Sequence, residues 1–296
     1  MAWQGLHISQ PCRLSLKQGQ IRLEREGESA LSFAPEDVAW ILLDTQQVEL
    51  TASLLARCAG AGVAVIVSDE KHHPCGMMLP FHQHHKQAEV ATAQLAASAP
   101  LKKKLWQALV RRKIRNQAAH LARLDAGAGK TLAEMAKLVQ AGDPANVEAR
   151  AARFYWQRLY QDFTRADAED RRNALMNYGY AIVRAALARA LVAAGLLPCF
   201  GIHHEANANA FNLADDLIEP FRPFVDVMAA NRATAVPDAA ELTKEDRQHM
   251  AFILSAEAVV KGETVNILTA SEQAAFSLAN ILAGKQDDLA LPELRE

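Results

Sequence analysis

Apolar residues change their rhythm once along this chain, near residue 85. Before that point they come in short runs separated by turn formers. Leu6–Ser9, Arg13–Leu16 and Gln20–Leu23 read as the first three strands. Val38–Leu43 and Val63–Val67 are more continuously apolar, which predicts strands covered on both faces. Between them Thr51–Gly60, TASLLARCAG, predicts a short helix closed by glycine. The result is a β-rich lobe containing a strand–helix–strand element.

From about Gln83 alanine and leucine dominate, Arg and Lys recur at helical spacing, and β-branched residues thin out. Helical patterns cover roughly 84–97, 101–125, 131–140, 144–161, 170–195, 209–219, 244–257 and 268–284. Asp143-Pro144 is a start signal, with Asp as N-cap and Pro in the first helical position. Thr243 followed by Asp246 matches a capping box. The expected class is α+β: a small β-rich N-terminal lobe, residues 1–85, followed by a larger all-α lobe, residues 86–296. No internal repeat stands out.

A chain of 296 residues with 50% hydrophobic and 22% charged residues is long enough to bury a substantial core. Its net charge of −2 selects no partner, because local charge can be strongly segregated. No apolar run reaches the roughly 18 residues of a spanning helix, and Met1 to Gln10 lacks a secretory apolar region. Cys12, Cys58, Cys75 and Cys199 form no CxxC pair and read as reduced thiols of a cytoplasmic protein.

Candidate chemistry gathers in Gly201–Asp226, GIHHEANANAFNLADDLIEPFRPFVD. Imidazole and carboxylate are ligands of catalytic divalent metals. Asp216 and Glu219, three apart, should project from one helical face, where a single ion can meet both. Phe211, Leu213, Leu217, Ile218 and Phe221 should draw that helix to the core, and buried charges need a partner. Pro220 and Pro223 are expected to end or kink it just past Glu219. Asp215 points away and reads as a surface acid. The bland alternatives for His203 and His204 are a surface pair or a core imidazole bonded to backbone. With oxygen donors prevailing and no cysteine within Gly201–Asp226, Mg²⁺ or Mn²⁺ is favoured over zinc.

Glu148 shares a helical face with Ala151, Ala152 and Tyr155. Such an inward carboxylate is either a functional group or the partner of a buried cation. Leu101–Leu124, LKKKLWQALVRRKIRNQAAHLARL, carries eight Lys and Arg and no acid, a candidate phosphate-binding surface or else a solvated helix face. Trp106 keeps helical spacing with Leu109 and Val110 and reads as core. His72, His73, His82, His84 and His85 match no compact ligand set and are placed in an exposed connection.

Taken together, these residues resemble the CRISPR-associated spacer-acquisition integrase, the first of the two universal CRISPR adaptation proteins. KIRNQA (113–118) resembles its basic-helix motif and VEARAARFYW (147–156) its glutamate motif. RRNALMNYGYAIVRAAL (171–187) resembles its Asn-Ala-Leu-x-Asn-Tyr-Gly-Tyr signature. GIHH and LADDLIEPFRPFVD resemble its histidine and acidic motifs, in wording most like type II systems. The histidine motif usually reads Gly-Phe-Leu-His, so His204 takes the motif position and His203 is a departure. The resemblance implies that Glu148, His204 and Glu219 hold Mg²⁺ or Mn²⁺, with Asp216 beside them. It implies that Lys102, Lys103, Lys104, Arg111, Arg112, Lys113 and Arg115 hold double-stranded DNA. It further implies a homodimer made by the N-terminal lobe, two dimers bridged by a dimer of the second adaptation protein, and no membrane partner. The reaction implied is attack by the 3′-hydroxyl of a captured DNA fragment on a repeat phosphodiester, with endonuclease activity at the same site. A branched-DNA repair nuclease and a non-enzymatic helical DNA-binding scaffold are the alternatives.

Overall fold

The computed structural model describes residues 4–80, 84–167, 169–235 and 241–295, and divides into two compact units, Met1–His85 and Lys86–Glu296. The first holds two four-stranded sheets. In one, β1 (Gln4–Ile8), β5 (Val38–Leu43) and β7 (Ala64–Ser68) run parallel, and β8 (Pro74–Met78) closes the edge antiparallel to β7. In the other the order is β4 (Leu31–Phe33), β3 (Gln20–Glu24), β2 (Cys12–Lys17), β6 (Val48–Leu50), with β6 parallel to β2. One core draws Leu14 and Ile21 from the second sheet, Ile41 and Val65 from the first, and Leu54 and Cys58 from α1 (Ala52–Ala61).

All six β5 residues are buried, as their unbroken apolar run requires. β7 departs from that expectation at Val67, which is exposed. Helix α1 is capped by Thr51 Oγ1, which accepts from Leu54 N, and is closed by Gly62 at φ 74° rather than by Gly60. In the expected histidine cluster, His72 Nδ1 bonds Asp44, and His82 lies outside the described residues.

The second unit is helical: α2 (Gln87–Leu95), α3 (Ala99–Ala122), α4 (Ala126–Leu138), α5 (Val147–Leu159), α6 (Arg171–Ala193), α7 (Asn212–Leu217), α8 (Arg222–Ala235), α9 (Lys244–Ala251) and α10 (Ile267–Leu282). Helix α6 is buried around most of its circumference and packs on α8, α9 and α10. The helix α8 is additional to the expected set. Pro220 sits in a 3₁₀ turn (Glu219–Phe221) after α7, while Pro223 lies in the first turn of α8, where its missing N–H costs nothing. Also additional is a hairpin, β9 (Glu257–Val260) and β10 (Glu263–Asn266), turned by Lys261 and Gly262 with φ of 51° and 86°. The capping box at Thr243 forms as expected, and the same Asp246 carboxylate, fully buried, also receives Arg171 and Arg232.

Gly179 lies in the middle of α6, against α8 and α9. A Cβ there would sit 2.5 Å from Val225 Cγ1 and 2.8 Å from Met250 Cε. Gly179→Ala is therefore expected to destabilise the protein by about 1–3 kcal/mol despite alanine's better helix propensity. A thermal melt with no decrease in Tm would contradict that packing account.

Candidate active site in the helical unit

Lys113 organises the site. It lies on the buried face of α3 with Leu109 and Val110, so its ammonium is carried inward. There it bonds Glu148 Oε1, from the first turn of α5, and lies 2.5 Å from Glu219 Oε2, in the turn after α7. Arg222 Nε donates to the other Glu219 oxygen at 2.8 Å. Burial alone would push the Glu219 carboxyl up, but Lys113 and Arg222 outweigh it and hold the group at about 2. Burial likewise opposes the charge on Lys113, yet Glu219 and Glu148 raise its pKa above the ordinary lysine value. One turn further along α3, Asn116 Nδ2 donates to Pro220 O at 2.7 Å and to Pro292 O at 2.9 Å, fixing the Glu219 turn against α3.

Glu148 is set in place by Asp143, though not as the sequence suggested. Asp143 and Asn146 both take positive φ, so residues 143–146 form a turn and the helix starts at Val147, not at Pro144. From outside the helix the Asp143 carboxylate accepts from Val147 N and Glu148 N, each at 2.9 Å. This satisfies two free N–H groups of the first turn and orients the residue beside them.

The histidine turn is built around Asp216, which is fully buried. Its two oxygens accept from Ile202 N (2.5 Å), His203 N (3.0 Å) and His204 N (3.1 Å), and Oδ1 meets His204 Nδ1 at 2.7 Å. Gly201 permits this closeness, since a Cβ there would lie 2.2 Å from His204 O and 2.8 Å from Asp216 Oδ2. The two imidazoles therefore differ. The His203 ring stacks on Trp106 with centroids 4.1 Å apart, whereas His204 is oriented by the carboxylate, which raises its pKa. Gln94 and Asn212, which sequence reasoning did not single out, fix the flanks. Gln94 Nε2 donates to Leu197 O and Phe200 O, and Asn212 Nδ2 to Cys199 O and Ala206 O.

Two expectations need correction. Asp216 and Glu219 do not face a common ion: helix α7 ends at Leu217, Asp216 turns to the histidine segment and Glu219 to Lys113. Asp215 is not a free surface acid, because Arg184 donates to both of its oxygens, at 2.6 and 2.9 Å. The basic helix is also divided. Arg111 donates to Val139 O at the end of α4, Arg112 pairs with Glu293 at 2.7 Å, and Lys113 is buried between the glutamates. These three cations are engaged inside the chain. Lys103, Lys104 and Arg115 are exposed, and Lys102 lines a cavity of about 410 Å³ beside His204.

Among the described residues no three His, Cys, Asp or Glu side chains form a ready-made metal cage. The donor set nonetheless fits a hard divalent cation. Two glutamates already share one cation, and the buried Glu219 Oε2 has that ion pair but no hydrogen bond. If His204 keeps its Nδ1 proton on Asp216, its Nε2 is left as a ligand, an arrangement common behind metal-bound imidazoles.

A strand-rich unit precedes a helical unit in which two glutamates share a lysine and a carboxylate orients an imidazole. Residues 6–249 match the family described as CRISPR associated protein Cas1. A relative from Neisseria meningitidis serogroup C (strain 8013), "CRISPR-associated endonuclease Cas1", is 38% identical over 99% of this chain and 97% of its own length. The chain belongs to the Cas1 family. Its fold is similar to that of a casposase bound to an integration product, with TM-score 0.78 and 19% identity over 98% of this chain and 92% of that one. It is also similar to a chain of a Cas6-RT-Cas1–Cas2 complex, with TM-score 0.73 and 17% identity over 99% of this chain and 36% of that one.

Two outcomes follow from the electrostatics. Lys113→Met leaves two carboxylates facing each other without their cation, one of them buried, and should cost about 3–5 kcal/mol in chelator-treated protein. Mn²⁺ should restore part of the lost Tm, and a melt insensitive to Mn²⁺ would count against a cation between Glu148 and Glu219. The second outcome concerns Asp226, buried against the Tyr180 hydroxyl. Burial pushes its carboxyl up to about 6, against the Tyr180 and Tyr155 hydroxyls and the nearby arginines. The folded state then binds a proton more readily than the unfolded chain, so this group's stabilisation is present at low pH and lost as pH rises through about 6. Relative to Asp226→Asn, the parent should gain Tm between pH 8 and pH 5. A constant difference would show that Asp226 does not titrate in that window.

Proposed function

We propose that this chain is a divalent-metal-dependent DNA integrase of CRISPR adaptation, with endonuclease activity at the same centre. The observation that carries the reading is the single cation shared by Glu148 and Glu219, beside an imidazole that Asp216 orients. Glu148, Glu219 and His204 would hold Mg²⁺ or Mn²⁺. When bound, such an ion supplies charge against the phosphoryl transition state and lowers the pKa of the attacking hydroxyl. In the reaction, the 3′-oxygen of a captured DNA fragment forms a new bond to a repeat phosphorus. The bond from that phosphorus to the repeat's own 3′-oxygen breaks, and a proton passes from the entering to the departing hydroxyl. With water as the entering group, the same steps hydrolyse a strand. Asp216 holds the imidazole in one orientation throughout, which keeps its free nitrogen available.

The DNA surface of this reading is narrower than the basic run. Lys102, Lys103, Lys104 and Arg115 are the proposed backbone contacts, since Arg111, Arg112 and Lys113 already have partners. Such contacts carry affinity without sequence readout. Dimerisation through the strand-rich unit is proposed from family resemblance. Pairing with the second adaptation protein, Cas2, is supported by the likeness to a chain of a complex that contains it. No helix among the described residues is long and apolar enough to cross a membrane, and a cytoplasmic site of action is proposed.

Half-site integration with Mn²⁺ tests the assignment. Glu148→Ala and His204→Ala should lower strand joining by at least 10²-fold while DNA binding persists, as expected when charge stabilisation of a transition state is removed. If both variants join fragments as well as the parent, the catalytic assignment fails. If the parent only cleaves branched DNA and never joins, the repair-nuclease reading replaces integration.

A further inference from the structure

A cavity of about 240 Å³ opens beside the Lys113–Glu219 pair, and three cations line it: Lys113, Arg222 and Arg165. Lys113 and Arg222 are neutralised by the glutamates. Arg165 is not. Its Nη1 donates to Asn173 Oδ1 at 2.9 Å and its Nη2 to Asn177 Oδ1 at 2.6 Å, and no carboxylate among the described residues pairs with it. Two neutral amide oxygens thus hold the guanidinium; the buried Asp226 carboxyl lines the same cavity and feels its charge without pairing with it, so the remaining N–H groups of Arg165 are uncommitted. The guanidinium carbon also lies 5.5 Å from the centre of the Tyr180 ring, over which Arg222 lies at 4.6 Å.

The segment that carries Arg165, between α5 and α6, is fixed as well. Asn173 Nδ2 donates to Thr164 O and Asp167 O, each at 2.8 Å, so one α6 side chain clamps both the loop and the arginine on it. Arg172 shows the contrast: it too bonds the segment between α5 and α6 but is matched by both oxygens of Asp170. A half-buried guanidinium held by neutral partners, at ion-pair distance from no carboxylate among the described residues, is free to receive an anion that enters the cavity. A planar fork of N–H donors matches the two non-bridging oxygens of a phosphodiester.

We propose that Arg165 binds a backbone phosphate of the DNA strand engaged at the Glu148–Glu219 centre, and is a substrate-positioning residue for strand transfer. The inference rests on the proposed DNA reaction and adds a contact that lies outside the basic helix. It also assigns a role to Asn173 and Asn177 of the Asn-Ala-Leu-x-Asn-Tyr-Gly-Tyr segment: they aim the arginine without neutralising it.

The test replaces single phosphates near the joining point with neutral methylphosphonates, one position per oligonucleotide. Binding is measured by fluorescence anisotropy in EDTA, and joining is measured with Mn²⁺. The parent should lose roughly tenfold in affinity at one or two adjacent positions, the scale of one charge-assisted contact. Arg165→Ala should bind weakly whatever sits at those positions. Arg165→Gln, which keeps a polar group in the cavity and guards against misfolding, should be equally indifferent. Arg165→Lys should retain the position dependence at reduced strength. If Arg165→Ala and Arg165→Gln melt like the parent and keep its affinity and its position dependence, the inference is overturned. The two failures are separable. A parent that shows the phosphate pattern yet neither joins nor cuts DNA sinks the catalytic reading and leaves Arg165 standing. A parent that joins DNA while the pattern survives Arg165→Gln sinks only Arg165.

Discussion

The arrangement depends on one electrostatic demand: Glu219 is buried and ionised. A carboxylate in that position is tolerated only with cations close by, and two elements bring them. Helix α3 delivers Lys113, and the first residue of α8 delivers Arg222. The fixed position of α3 against the Glu219 turn follows from this demand, as does the approach of α5, whose Glu148 takes the other side of the same ammonium. Two carboxylates thus share one monovalent cation in a confined place.

The histidine turn answers a different constraint. Residues 201–204 have no regular secondary structure, so their N–H groups need an acceptor, and the buried Asp216 carboxylate serves three of them together with the His204 ring. The same hydrogen bonds that satisfy the backbone therefore aim the imidazole. An acid beside a histidine invites reading as another ligand. Here its oxygens are already engaged by the turn and by the His204 ring.

Much of the fold was legible. The strands β2, β3 and β5 and the long helices α3, α5 and α6 appear in the apolar rhythm, because each has one strongly buried face or is buried throughout. Helix α8 was hidden because Pro223 reads as a stop, although proline is equally suited to a first turn. The hairpin at Lys261-Gly262 was hidden because its strands are only four residues each, within reach of a helical pattern. At the site, Glu148, His204 and Glu219 could be singled out from the sequence as candidates, and the structure brings Glu148 and Glu219 to one lysine. Lys113 was misread as one of a run of surface cations, yet it lies three, four and seven residues from Val110, Leu109 and Trp106, all buried. Its phase placed it inside, and only its charge argued otherwise. Arg165 gave no signal, since what sets it apart is a pair of neutral amide partners brought to it by the fold, with no carboxylate among the described residues at ion-pair distance.

Asn116 ties these parts to the far end of the described chain. Besides holding Pro220, its side chain donates to Pro292 O and accepts from Leu294 N at 3.1 Å, while Arg112 reaches Glu293. Residues 292–294 are thus not a trailing tail. They form a brace on α3, and a fusion partner or truncation there would disturb, through that helix, the pairing of Lys113 with Glu148 and Glu219.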